Sequence, residues 1–146
     1  MFMTPMLLGL AQAAAAMPAA SSHITLHKHK IRIEIAADEA SREHGLMDRT
    51  ALARGHGMLF VFPDTAPRWF WMKNTLISLD IVYFDHNASV VSMQLNVPPC
   101  SHDPCPTYAS NLPARYALEL PGGSVGRLHI KVGDKMTLPT KPIVAH

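Results

Sequence analysis

Apolar and polar residues alternate strictly from Lys30 to Ala36, with Ile31, Ile33 and Ile35 set against Lys30, Arg32 and Glu34. A period of two places one face of a strand in a core and the other in water. Upstream, Ile24-Thr25-Leu26-His27 continues the pattern, so a hairpin turning near Lys28 to Lys30 is predicted, with no glycine to set its register. The periodicity then changes. Asp38 stands where a helix N-cap is expected, Ala40, His44 and Met47 share one helical stripe, and Gly45 suits the helix end. A second short helix is predicted from about Thr50 to Arg54, stopping at Gly55. Gly57 to Phe62 is apolar at every position after the glycine, which describes a strand covered on both faces, ended by Pro63-Asp64. Phe70 to Met72, Leu79 to Phe84 and Ser89 to Val97 are further strands, the last two joined by Asp85-His86-Asn87 as the clearest hairpin in the chain. A loop rich in proline runs from Pro98 to Pro113, followed by a strand at Arg115 to Leu120, a helical turn within Gly122 to Leu128 and a closing strand at Lys135 to Leu138. About seven short strands with one or two small helices predict a β-rich α+β fold, a curled, mainly antiparallel sheet or partly open barrel.

Composition sets the scale of that fold. At 146 residues and 48% apolar content the chain supports one core, assigned to residues 22–140 with a short tail at 141–146. The formal charge of +2 is mild, and the basic cluster Lys28-His29-Lys30-Ile31-Arg32 alternates with apolar residues as a solvated strand face does. No lysine or arginine stripe, phosphate-binding glycine loop or His-Glu-x-x-His pair supports a nucleic-acid, nucleotide or zinc-protease reading. Residues 1–20 are different in kind. They carry no charge, and Leu7-Leu8-Gly9-Leu10 leads into an alanine-rich run with Ala-x-Ala sites such as Ala11-Gln12-Ala13. This reads as a secretory signal peptide, although no Lys or Arg precedes its apolar region. Pro18 closes the run at barely the roughly 17 residues that a spanning helix needs, so no integral membrane span is expected in the mature domain. A bacterial periplasmic or secreted protein follows from that reading.

The chemistry concentrates between Arg68 and Phe84, which hold both tryptophans and place Asp80 inside an apolar run. A carboxylate is costly to bury unless donors meet it, and the neighbouring Asn74-Thr75 turn is the expected source. The residues suggest a pocket walled by Phe70, Trp71, Met72 and Tyr108, with Arg42, Asn74, Thr75, Asp80 and Glu119 as polar contacts to a small molecule or envelope protein. Strand alternation puts Trp71 and Lys73 on one face and Phe70 and Met72 on the other, so one face alone is expected to be pocket. The competing reading is structural, with Arg42 paired to Asp80 or Glu119. Two catalytic readings stand beside these. Asp80 and Glu119 would serve as an acid/base pair in a hydrolase. Gly122-Gly123-Ser124-Val125-Gly126 spells a nucleophile elbow but lacks the large parallel sheet on which that elbow works, and Ser124 is better read as a helix N-cap. Cys100 and Cys105 read as a loop disulfide, or with His102 as part of a metal site. Nine Met and nine His invite a copper-binding reading, but four of the Met lie within residues 1–20, Met47, Met58, Met72 and Met93 fall in apolar patterns, and lysines flank His27 and His29. No cofactor or resident metal is expected.

Several motifs in order, namely Arg42 to Arg49, Gly57 to Phe62, Phe70-Trp71-Met72-Lys73-Asn74-Thr75, Leu79-Asp80-Ile81, Leu118-Glu119-Leu120 with Gly122, and Gly133-Asp134, closely resemble the bacterial and archaeal family called domain of unknown function 192. The resemblance runs from about Ile24 to Leu138. It implies a compact β-rich domain, often exported and without a settled biochemical activity, and the cysteine pair resembles that of exported members. Ser78 departs from the proline common in the family before Leu-Asp, which loosens the turn entering the Asp80 strand.

Overall fold

In the computed structural model, which describes residues 22–146, the alternating segment is strand β2 (His29–Ala36), paired antiparallel with β1 (Ser22–Leu26). The expected signal segment lies outside the described residues. The hairpin turns on His27 and Lys28, whose φ angles of 45° and 67° are both positive. Two left-handed residues make the tight turn that matches strand twist, and here they do so without glycine. Helix α1 (Glu39–His44) is capped as expected: Asp38 Oδ1 accepts from the Ser41 amide at 2.8 Å, and Ser41 Oγ accepts from the Asp38 amide at 3.3 Å. Gly45 ends it at φ 48° and ψ −129°, a conformation open to glycine alone. The predicted apolar stripe does not form, because no α1 residue is buried; Leu46, one residue past Gly45, is the anchor. Residues 50–54 are not helical either. Their turn closes with the His56 amide on the Ala53 carbonyl and leads straight into β3 (His56–Ala66).

Strand β3 runs parallel to β2 and antiparallel to β8 (Ala114–Pro121). It passes through Pro63-Asp64 instead of ending there, because the register shifts between Val61 and Ala66 and an irregular edge tolerates a proline that has no amide to donate. Its start lies unusually close to β8: a Cβ on Gly57 would sit 2.6 Å from the Glu119 carbonyl oxygen. β8 pairs with β5 (Leu79–Phe84), and β5 with β6 (Val90–Val97). With β9 (Met136–Thr137) beside β1, the order is β6-β5-β8-β3-β2-β1-β9, a seven-stranded curled mixed sheet forming a half-barrel. At one end Val90 bonds to the backbones of Gly133 and Asp134, and Ala88 to that of Met136, so the two edges are tied together. A separate two-stranded ribbon joins β4 (Trp69–Trp71) to β7 (Thr107–Ala109), the latter inside the loop predicted for residues 98–113. Helix α2 (Ser124–Leu128) follows β8.

The strands that looked apolar throughout separate two cores. Leu59, Val61, Val82, Phe84, Leu118 and Leu120 face the inside of the half-barrel with Ile31 and Ile33. Met58, Phe60, Leu79, Ile81, Tyr83 and Ala117 face the other way and meet Leu46 and Met72. The 141–146 tail is docked, with Ile143 and Ala145 against the inner core and the His146 amide donating to the Ala37 carbonyl.

Candidate functional site

The outer face is only partly covered. Between α1 with its following turn and the β4 ribbon lies a cleft of ≈ 320 Å³. Phe60, Phe62, Phe70, Thr75 and Glu119 line it from below. Phe70 is the hinge of this arrangement, standing edge-on to Phe60 at 5.0 Å, Phe62 at 6.3 Å and Tyr83 at 5.8 Å between ring centroids. These contacts seat the ribbon on the sheet and leave its alternate residues outward. Trp69 and Trp71 are accordingly 65% and 47% exposed at the rim. Across from them α1 presents Glu39, Arg42, Glu43 and His44.

Glu119 is the unusual group. In β8 it pairs with Met58 on one side and Ile81 on the other, and it is 5% exposed. Among the described residues no hydrogen bond or ion pair reaches its carboxyl group, and burial pushes that group up to about 8, so it holds its proton at neutral pH. Nearby, the Tyr83 phenol is raised by burial and then by the charge of Glu119; its hydroxyl donates to the Tyr108 carbonyl at 2.7 Å.

Asp80 lies on the opposite face. Cross-strand partners share a face, so the pairing of Asp80 with Leu120 and of Ile81 with Glu119 turns the two carboxyl groups to opposite sides of the sheet. Asp80 Oδ1 accepts from the Asn96 amide and Oδ2 from the Val125 amide, each at 2.8 Å. Its donors are therefore β6 and the first turn of α2, not the Asn74-Thr75 turn. An Asp80–Glu119 acid/base pair cannot form on this sheet. Arg42 pairs with neither: its guanidinium donates to the carbonyls of Ala37 at 2.7 Å, Val61 at 3.0 Å and His146 at 2.7 Å.

Of the residues singled out in the sequence, the cleft gathers Arg42, Phe70, Trp71, Thr75 and Glu119. Met72 is buried in the outer core, and its carbonyl accepts from the amides of Thr75 and Cys100. Asn74 is exposed at φ 54°, its carbonyl accepting from the Asp48 amide, so it fastens the turn after α1 to the ribbon. Tyr108 backs Phe70 in the ribbon. Asp80 belongs to the α2 side. Alternation along β4 does not divide pocket from core either, because Trp69, Phe70 and Trp71 all line the cleft.

Arg68 also lines it and was not anticipated. Its guanidinium lies 4.0 Å from the Phe62 centroid, held by Asp64 Oδ1 at 2.7 Å and the Ala114 carbonyl at 3.1 Å. The four-residue spacing from Asp64 was its signal. Ser124 is buried in the first turn of α2, its hydroxyl donating to the Pro121 carbonyl and accepting from Arg127 Nη2 at 3.2 Å; Gly123 takes the N-cap position expected for it. Cys100 and Cys105 are joined as a disulfide, so neither thiol is free to join His102 on a metal. Among the described residues no three His, Cys, Asp or Glu side chains converge as metal ligands, and no helix is long and apolar enough to cross a membrane.

This architecture recurs in solved proteins. A proposed transcription regulator from Sinorhizobium meliloti 1021 superposes with a TM-score of 0.77 at 34% identity, covering 84% of this chain and 96% of that one. A protein of unknown function from Novosphingobium aromaticivorans DSM 12444 gives 0.73 at 33% identity, covering 88% of this chain and 94% of that one. No curated protein matches the chain. The profile of DUF192, described as "Uncharacterized ACR", matches residues 22–138, which span the whole half-barrel, the ribbon and every residue of the cleft; the chain belongs to this uncharacterised family.

Proposed function

We propose that the protein is an exported, non-enzymatic binding module whose tryptophan-rimmed cleft takes a small organic molecule. The observation that carries this reading is Glu119, a carboxyl group without a hydrogen-bond partner among the described residues, placed at the base of an aromatic cleft. Burying such a group is costly, whereas a bound molecule that offers a donor offsets the cost. The cleft is also of ordinary ligand size, and it sets aromatic faces beside polar groups that can orient a ligand. Export is supported by the charge-free, alanine-rich segment at residues 1–20 and by the Cys100–Cys105 disulfide. The transcriptional role proposed for the Sinorhizobium protein is not carried over, because α1 and α2 have six and five residues, short for a groove-reading helix.

The test is a screen of purified protein against cell-envelope metabolites, read by tryptophan fluorescence and thermal shift. At least one compound is expected to raise the melting temperature and quench fluorescence, with Trp71→Ala weakening it tenfold or more. A screen in which nothing shifts the melting curve, with Trp71→Ala indistinguishable from the parent, would sink the reading. Fractionation of cells expressing the tagged chain checks export separately.

A further inference from the structure

Resting on the binding reading above, we infer that the cleft selects a small organic cation, its ammonium group seated on the Glu119 carboxylate and its apolar body against the Phe62, Trp69 and Trp71 rings. The charges around the cleft decide the sign of the ligand. Both arginines that line it are already committed: Arg42 to three backbone carbonyls, Arg68 to Asp64 and the Ala114 carbonyl. An anionic ligand would find only the N–H groups those bonds leave over and would meet Glu39 and Glu43 on α1. Glu119 has no such commitment. It is 95% buried on the scale where its exposure is 5%, it lines the cleft, and no cation of the described residues pairs with it. A cation entering there gains a charge-assisted hydrogen bond in a desolvated place and the attraction of aromatic faces.

The protonation state gives the inference a signature. Tyr83 from β5 is electrostatically coupled to Glu119, and the polar groups that share the cleft with it are Thr75 from the turn after β4, Arg42, His44, Glu39 and Glu43 from α1, and Arg68 ahead of β4. Among the described residues neither arginine forms an ion pair with it, and burial keeps Glu119 protonated at neutral pH in the free protein. Binding an ammonium group then expels that proton to solvent as the carboxylate forms. Affinity for the cation rises with pH toward about 8 and levels off above it. A neutral hydroxyl ligand expels nothing.

Isothermal titration of the full chain with 2-phenylethylamine, 2-phenylethanol and 3-phenylpropionate tests this. The amine is expected to bind at least tenfold more tightly than the alcohol, to strengthen roughly fiftyfold from pH 6 to pH 8, and at neutral pH to release close to one proton, read from heats in buffers of different ionisation enthalpy. Glu119→Gln should erase the amine preference, the pH slope and the proton release. Its melting curve confirms folding. His44 is the imidazole in the cleft lining, so His44→Gln is the control and should leave the slope intact. Alcohol or propionate binding as tightly as the amine, or Glu119→Gln leaving the preference in place, overturns the inference. If all three probes bind alike and Trp71→Ala weakens all of them, the cleft reading survives and the cation does not. If none binds, the cation inference falls, and the metabolite screen above decides the cleft reading.

Discussion

Asp80 and Glu119 sit on neighbouring strands of one sheet, each nearly removed from water, and they have opposite fates. Asp80, 1% exposed, has one carboxylate oxygen on the Asn96 amide and the other on the Val125 amide, so its charge is answered from within the fold. It caps α2 and fastens that helix and β6 to β5. Glu119, 5% exposed, is flanked across the sheet by Met58 and Ile81, takes no hydrogen bond among the described residues and holds its proton instead. Burial alone therefore says little about the role of an acid. What matters is whether donors have been built around it, and a cleft is where donors can come from outside the chain.

The largest effect should come from breaking Asp80. Asp80→Ala removes acceptors from two backbone amides, and at roughly 1.5–3 kcal/mol for each charged hydrogen bond the loss is about 3–6 kcal/mol, measured by urea denaturation. Asp80→Asn should recover little of it, because its amide nitrogen would confront an N–H donor.

The next effect is a pH dependence that only Glu119 predicts. Its folded value of about 8 lies above the unfolded 4.5, so the native state keeps a proton that the unfolded chain releases. Stability then falls as pH rises from 4.5 to 8. The change is at most about 4 kcal/mol, measured as unfolding free energy against pH. Glu34 acts in the opposite direction and in a different window. The Arg49 guanidinium, hydrogen-bonded to both its oxygens, holds its carboxyl below the usual range, so its contribution is lost as pH falls below 4.5. Glu119→Gln should flatten the upper limb and leave the lower one. At pH 8 the same substitution should stabilise the protein by about 1–3 kcal/mol, whereas at pH 5 it should be nearly neutral. A steep upper limb in Glu119→Gln would assign the titration elsewhere. The smallest effect on stability is expected from Trp71→Ala, within about 0.5 kcal/mol for a half-exposed rim residue, although it should remove most ligand binding. Thermal melts beside the fluorescence titration separate the two.

Much of this could be read along the chain, and the failures are instructive. β2 was legible because water covers one of its faces, leaving a period of two. The six residues of β5 are all buried, so its pattern lacks a period and cannot say which way Asp80 points. The same ambiguity made Asp80 and Glu119 look like a pair. β7 was missed because three residues with Tyr108 at their centre carry too little pattern inside a proline-rich loop. The turn at 50–54 was misread as helix because five residues hold no reliable period, and tertiary bonds from Arg49 and Arg32 decide its path. Arg68 escaped notice because an arginine beside a tryptophan is unremarkable until the sheet folds Phe62 against it and brings in Ala114 from 46 residues away.

By itself the sequence determined the strand content, the cap at Asp38, the identity of the two buried acids and the family motifs. These depend on neighbours within a few residues, where backbone geometry dictates which side chains share a face. Only the tertiary structure decided that Asp80 would find two amides and Glu119 none. That difference depends on which strand lies alongside and which face the second layer covers, and hydrogen-bond partners brought from 16 and 45 residues away leave no trace in local spacing.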